Sequence, residues 1–316
     1  MDSKDLSPKT LMETIRYFGK PGIALNYIAK LRWPETGPVC EKCGLYGKDI
    51  AFLETAQRWK CRGCKNQFSV KRGTIMEDSA LSLDKWLCAI WMISNCRNGI
   101  SSCEIARALG ITQKSAWFML HRIRLAMEAG TIEKAKGTVE MDEAFIGPRV
   151  GRMNRKSRHR AGPLYASQGK TAVIAIAERN GEVRAKVLPD VKTKSVIPFA
   201  LDNVETGSKL YTDESTRYKG KIVRHFFDHD SVDHGREEYV RGDVHTNTVE
   251  NFWSLLKRGL HGTYINVEPF HLFRYVEEQV FRYNNRKMDD RSRFASLVSR
   301  LFGKRLTYQA LTASAV

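Results

Sequence analysis

Apolar positions change their period several times along the chain, and each change marks a boundary. Over residues 1 to 35, Leu11, Ile15 and Phe18, then Ile23, Tyr27, Ile28 and Leu31, recur at mixed helical spacing and predict a short helical prelude. Alternation around Trp59, Phe68 and Val70 predicts short strands within residues 36 to 80. From Ser82 the period is helical again: Trp86, Leu87, Ile90, Trp91 and Ile93 line one amphipathic segment, which breaks at Asn98-Gly99. Ser101 and Glu104 form a capping box that opens a second helix, and Gly110 stops it. Thr112 caps a third, whose buried face is Ala116, Leu120, Ile123 and Met127. Two helices joined by a Leu-Gly-Ile-Thr turn read as a helix-turn-helix within residues 81 to 130.

Beyond Gly137 the pattern becomes mixed. Residues 138 to 146 alternate as a strand with Val139 and Met141 on one face and Asp142 opposite or at the edge. Thr171 to Ile176 and Val183 to Leu188 form a hairpin around Asn180-Gly181. A helix runs from Thr193 through Phe199 and Leu201, Lys209 to Asp213 is a strand ending in a carboxylate, and Lys221 to Phe227 is a fifth predicted strand. Val249, Phe252, Trp253 and Leu256 then supply the apolar side of a late helix. This order predicts a mixed sheet with helices packed on it over residues 137 to 285. Phe294, Leu297, Leu301 and Phe302 predict at least one docked helix in the tail, residues 286 to 316. The fold class is multidomain α+β.

Charge narrows the range of partners. Among 316 residues, 52 Lys and Arg face 35 acids, a surplus of 17 positive charges that favours a polyanionic partner such as nucleic acid or an anionic membrane surface. The chain lacks an apolar run of membrane-spanning length and opens without a signal-peptide pattern, so the expectation is a cytoplasmic protein without a membrane partner. Gln113, Lys114 and Ser115 sit where a recognition helix reads bases, with Arg122 and Arg124 near phosphates. Between Arg149 and Lys170 seven Lys or Arg occur with no acid, among them Arg152, Arg155, Lys156, Arg158 and Arg160. Such a run is either a solvated loop or a clamp on a phosphate backbone.

Cysteine spacing adds a metal. Cys40-x2-Cys43 and Cys61-x2-Cys64, separated by a seventeen-residue spacer, have the spacing of a four-cysteine zinc site, and the flanking strands make it a zinc ribbon holding one structural zinc ion. Zinc binding would supply folding free energy to a segment with little core of its own. Cys88, Cys96 and Cys103 fall in helical context and read as buried small hydrophobes.

The late helix carries chemistry as well. Asn247, Glu250, Ser254 and Lys257 are spaced three, four and three apart and share one stripe at helical pitch. With Asp142 and Asp213, Glu250 makes three carboxylates that only a fold can gather. Clustered, they would repel one another and raise their own pKa values unless a cation neutralised them. Magnesium or manganese suits an all-oxygen site, and a pair of such ions promotes in-line phosphoryl displacement. Lys257 is placed to meet a phosphate near the scissile bond. Asn247 and His245 each read either as partners that orient Glu250 or as helix caps. Asp190, Asp202, Asp228, Asp230, Asp233 and Asp243 are rival acids in loops or turns, and strand alternation should turn Glu143 and Glu214 away from the aspartates they follow.

Nearly the whole chain resembles the bacterial insertion-sequence transposases of the zinc-ribbon DDE type, the ISXO-like group with a ribonuclease-H-like catalytic core. The residues that carry the resemblance are Leu31-Arg-Trp-Pro34 leading into Cys40 and Cys43, Gly73-Thr74, Val139-Glu-Met-Asp-Glu143, Gly242 through Trp253, and Leu256-Lys-Arg-Gly259. The stretch from Gly242 to Trp253 is the most specific. Taken position by position, the resemblance implies that Asp142 and Asp213 are the two catalytic aspartates, Glu250 the third acid, and Lys257 the basic residue seven places on. One departure is that Ala144-Phe-Ile precedes Gly147, where such families often have Gly soon after the first Asp-Glu. The resemblance further implies cleavage at terminal inverted repeats and transfer of 3′-hydroxyls into target DNA by a dimer or higher oligomer. Two other functions fit the residues: a metal-dependent nuclease or resolvase on the same core, and a non-enzymatic DNA-binding regulator.

Overall fold

The computed structural model of the chain describes residues 8–128, 133–147, 170–214, 218, 220–232 and 240–313. It forms two compact units, Met1–Met127 with Met288–Ser314, and Glu128–Lys287. Chain order therefore does not map simply onto the five successive segments read from the sequence.

The first unit opens with α1 (Leu11–Phe18) and α2 (Ile23–Arg32), then a three-stranded antiparallel sheet of β1 (Ile50–Leu53), β2 (Arg58–Cys61) and β3 (Gln67–Phe68). Trp59 is the centre of this small sheet, its ring 5.2 Å from Trp33, 5.2 Å from Phe52 and 6.2 Å from Phe68. Three helices follow: α3 (Leu83–Asn95), α4 (Ser102–Leu109) and α5 (Gln113–Met127). The local signals act as the sequence predicts. Ser101 and Glu104 make a reciprocal capping box, Gly110 ends α4 at φ 60°, and Thr112 Oγ1 accepts the Ser115 N–H at 3.2 Å. Ala116, Leu120, Ile123 and Met127 are all buried.

The second unit is built on a five-stranded sheet. Its elements are β4 (Thr138–Ile146), β5 (Thr171–Glu178), β6 (Val183–Leu188), α6 (Thr193–Asn203), β7 (Lys209–Asp213), α7 (Lys221–Phe226), β8 (Asp228–Val232), α8 (Asn247–Gly259) and α9 (Leu272–Asn284). Strand order is β6-β5-β4-β7-β8: the first three form an antiparallel meander, and β7 and β8 run parallel to β4. The hairpin turns on Asn180 at φ 62°. Ala172, Ile174 and Ile176 of β5 join a core with Val196, Phe199 and Ala200 of α6, whereas Val173, Ala175 and Ala177 pack with α8 and α9. Helices thus cover both faces, which is why β5 is a continuous apolar run rather than an alternating one.

One predicted strand is a helix. Lys221–Phe226 forms α7, and the strand begins at Asp228. Val223 and Phe227, four residues apart, are both buried, a spacing that helical pitch satisfies. The strand itself, Asp-His-Asp-Ser-Val, lies at the sheet edge with Asp228 and Asp230 exposed and Val232 buried, so its polar side hid it from the apolar count.

The described residues from Met288 to Ala313 belong to the first unit. There, α10 (Asp290–Val298) places the fully buried Phe294 with its ring 6.1 Å from Phe18, 6.5 Å from Tyr27 and 5.2 Å from Trp91, one residue from each of α1, α2 and α3. Leu297 and Leu301 are buried too, while Phe302 is half-buried and bridges to Thr74. The short α11 (Tyr308–Thr312) lays the Tyr308 ring 5.5 Å from Phe118 of α5.

Candidate active site

Two of the three expected acids meet. β4 and β7 pair in parallel up to Glu140 opposite Tyr211, and the same register two residues on sets Asp142 beside Asp213. Carboxylate oxygens of Asp142, Asp213 and Glu143 all lie within 4.8 Å of one another. Glu143 is the correction here, since strand alternation alone turns it from Asp142. Glu143 stays in the ladder opposite Ile174 of β5, but its longer side chain still brings an oxygen to the aspartates, and the Tyr218 hydroxyl donates to it. The Asp142 carboxyl is pushed up to about 7, first by burial and next by the Asp213 charge; the indole N–H of Trp253, donating to Asp142 Oδ2 at 3.0 Å, acts in the opposite direction.

Glu250 is not in that trio. It is exposed on the first turn of α8, its Oε1 accepting from Thr246 Oγ1 at 2.9 Å, and it stands one turn before Trp253, the residue that touches Asp142. Asn247 and Lys257 are exposed on the same helix. Helix and strand are joined by a residue the sequence reading passed over. Glu140, fully buried on β4, accepts the backbone N–H groups of Thr248 at 2.6 Å and Val249 at 3.1 Å on Oε2. Its Oε1 accepts from Thr248 Oγ1 at 2.9 Å and Arg179 Nε at 2.8 Å, and His245 Nδ1 lies 3.3 Å away. The signal was present: an acid two places before Asp142 in an otherwise apolar alternation shares its face.

In the first unit, Cys40, Cys43, Cys61 and Cys64 bring their sulfurs within 4.8 Å of one another, with Cys40–Cys64 and Cys43–Cys61 both at 3.5 Å. Tetrahedral Zn–S bonds of about 2.3 Å separate sulfurs by roughly 3.8 Å, so the residues present fit a structural zinc ion. Cys88 is buried as expected, but Cys96 is only half-buried and Cys103 is exposed.

Gln113 and Lys114 are exposed at the start of α5; Gln113 Nε2 donates to Ser102 Oγ at 2.8 Å, and Lys114 Nζ lies 4.8 Å from the Tyr308 ring centre. Ser115 is half-buried in the cap of Thr112. Arg122 and Arg124 do not reach out to phosphates. They are 6% and 1% exposed, and Arg122 donates to the carbonyls of Glu77 at 2.9 Å and Leu306 at 3.2 Å. Its guanidinium also lies 4.1 Å from the Phe118 ring centre, so both arginines are interior packing of α5. Arg152, Arg155, Lys156, Arg158 and Arg160 lie outside the described residues.

Comparison with known proteins now decides the family. Residues 134–284 match the profile of the ISXO2-like transposase domain, and residues 23–67 match that of the transposase zinc-ribbon domain. The chain belongs to the ISXO2-like zinc-ribbon DDE transposases. A relative from Halobacterium salinarum, described as an uncharacterized protein in transposable element ISH50, is 29% identical over 261 residues, 79% of this chain and 86% of its own length. An uncharacterized transposase-like protein of Haemophilus influenzae is 27% identical over 104 residues, 33% of this chain and 82% of its own. The ISXO2-like profile takes in the whole Asp142, Glu143 and Asp213 group as well as Glu140 and α8. The ribbon profile starts at residue 23, the first residue of α2, and so overlaps the predicted prelude. Among the described residues no helix is long and apolar enough to cross a membrane.

Proposed function

We propose that this ISXO2-like transposase binds the terminal inverted repeats of its element, cleaves DNA at their ends and transfers the 3′-hydroxyls into target DNA on a ribonuclease-H-like core. The observation that carries the reading is the pair Asp142 and Asp213 on adjacent parallel strands, with Glu143 completing a set of oxygens within 4.8 Å. The donors are all hard carboxylate oxygens, and Asp142 is held up to about 7, the state that a nearby cation relieves. Asp142, Asp213 and Glu250 would hold two magnesium or manganese ions, whose charge activates the attacking hydroxyl and stabilises the leaving oxygen. Glu143, held by Tyr218, offers a further oxygen. Glu250 would reach the aspartates from α8, on which it is exposed one turn before Trp253, the residue that touches Asp142.

The other residues serve binding and orientation. Lys257, two turns beyond Glu250, would meet a phosphate beside the scissile bond, and Asn247 would orient Glu250. The sheet order, an antiparallel meander extended by two parallel strands, supports the ribonuclease-H-like reading. α4 and α5, joined at Gly110, support a helix-turn-helix in which exposed Gln113 and Lys114 face DNA. The surplus of 17 positive charges supplies the attraction to phosphates, with the basic run from Arg149 to Lys170 as a clamp. The active assembly would be a dimer or higher oligomer.

The test incubates the protein with labelled transposon ends, Mg²⁺ and supercoiled plasmid. Wild type should give joined products, and Glu250→Gln should bind ends but not cleave them. Undiminished cleavage by that variant would overturn the assignment of Glu250; cleavage without joining by wild type would favour a nuclease or resolvase.

A further inference from the structure

We infer that Glu140 is a positioning residue that sets where Glu250 stands relative to Asp142 and Asp213. The inference rests on the proposed role of Glu250 as third acid. It begins with an exchange of duties at the start of α8. A helix N-cap Thr ordinarily accepts a backbone N–H of the first turn with its own hydroxyl. Thr246, the N-cap of α8, makes no such bond; its hydroxyl donates to Glu250 Oε1 at 2.9 Å. The N–H groups of Thr248 and Val249, the second and third residues of the helix, are taken instead by the carboxylate of Glu140 from the neighbouring strand. Thr246 is thereby released to orient the acid, and a group outside the helix supplies the cap. A carboxylate at a helix N-terminus also meets the positive end of the helix dipole, so the contact is electrostatic as well as hydrogen-bonded.

The attachment has two points. Glu140 and Asp142 are two residues apart on one face of β4, and α8 touches both: its first turn at Glu140, and Trp253 at Asp142. Glu250 lies on the helix between these points, so its backbone position follows from the lengths of the two contacts. Arg179 stiffens the first. It donates to Glu140 Oε1, to the carbonyl of Asp243 at 2.8 Å and to that of His245 at 3.2 Å, and its guanidinium lies 5.0 Å from the Tyr211 ring centre on β7. The hairpin turn, β4, β7 and the approach to α8 are therefore tied at one buried carboxylate. Glu140 touches neither Asp213 nor the DNA in this scheme; it acts through Glu250.

The experiment is a double-mutant cycle read by Mn²⁺ affinity, measured by electron paramagnetic resonance on the full chain with its zinc in place. Glu140→Asp keeps the charge and withdraws it by about 1.5 Å, one C–C bond. Wild type should bind Mn²⁺; Glu140→Asp and Glu250→Gln should each weaken binding by roughly 10- to 100-fold, and the double variant should be no weaker than Glu250→Gln alone. A role confined to holding the fold would instead make the two losses add. Wild-type affinity in Glu140→Asp, or additive losses, overturns the inference and leaves the role of Glu250 standing. Unchanged affinity in Glu250→Gln overturns both. If Glu140→Asp does not fold, Thr248→Val, which removes one hydroxyl contact, must show the same non-additive weakening, and wild-type affinity there overturns the inference.

Discussion

The aspartate pair predicts a stability curve of unusual slope. Asp142 has its carboxyl lifted from 3.8 to about 7 by burial and by Asp213. Between roughly pH 4 and pH 7 the folded chain therefore keeps a proton that the unfolded chain has released, so stability falls as pH rises through this window and is level above it. At about 1.4 kcal/mol per pH unit, the ionised Asp142 costs on the order of 4 kcal/mol at pH 8. The perturbation is Asp142→Asn, which keeps the shape and an oxygen for Trp253 and removes the charge. In divalent-free buffer the variant should melt close to wild type at pH 4.5 and about 10 °C higher at pH 8, taking roughly 2–4 °C per kcal/mol for a unit of this size. Reading the difference between the two proteins cancels histidine titration and the decline of the net positive charge, which act on both alike. Mg²⁺ at 100 times its dissociation constant should close roughly two-thirds of the gap at pH 8 by raising wild type only, since such binding adds about 2.7 kcal/mol. Parallel curves for the two proteins from pH 4.5 to 8 would refute the claim that burial and mutual repulsion strain this pair.

Two further outcomes concern the first unit. Removing zinc with a strong chelator, or replacing Cys40 and Cys61 by Ser, should unfold the segment around β1 to β3, seen as loss of amide protection, whereas a protected Trp59 amide in zinc-free protein would contradict a metal-supported ribbon. Phe294→Ala should cost about 3–5 kcal/mol in urea denaturation of the first unit, because its ring fills the space between Phe18, Tyr27 and Trp91; a loss under 1 kcal/mol would mean that the tail helix is not part of that core.

What was legible in the sequence is what local chemistry dictates. The capping box at Ser101, the stop at Gly110, the turn at Asn180 and the two cysteine knuckles each follow from a few adjacent residues, and each stands where expected. The strands β4 to β7 were legible because their apolar residues alternate or run unbroken. What was not legible depends on distant partners. The edge strand β8 shows mostly polar residues, and α7 acquires its helical form from burying Val223 and Phe227 together. Arg122 and Arg124 look like phosphate ligands in a basic chain; carbonyls of Glu77 and Leu306, 45 and 184 residues away, claim Arg122 for the interior. Alternation sets only the direction in which the Glu143 side chain leaves β4, and its length still brings a carboxylate oxygen within 4.8 Å of those of Asp142 and Asp213.

The acids themselves divide by how they are held. Asp142 and Asp213 sit on paired strands, and the ladder between β4 and β7 fixes their approach. Glu250 rides on a helix whose docking depends on Glu140 and Trp253, contacts that no motif spacing encodes because they join residues 108 to 111 positions apart. Candidate acids are thus easier to read in a sequence than the contacts that hold them in place. The informative residue is one that breaks the pattern without a chemical role of its own: a fully buried Glu140 in an apolar strand must be paired, since an unpaired charge there would be expelled or neutralised. Its partners are the helix N-terminus and Arg179, and they tie the placement of Glu250, the proposed third acid, to the strand that carries Asp142.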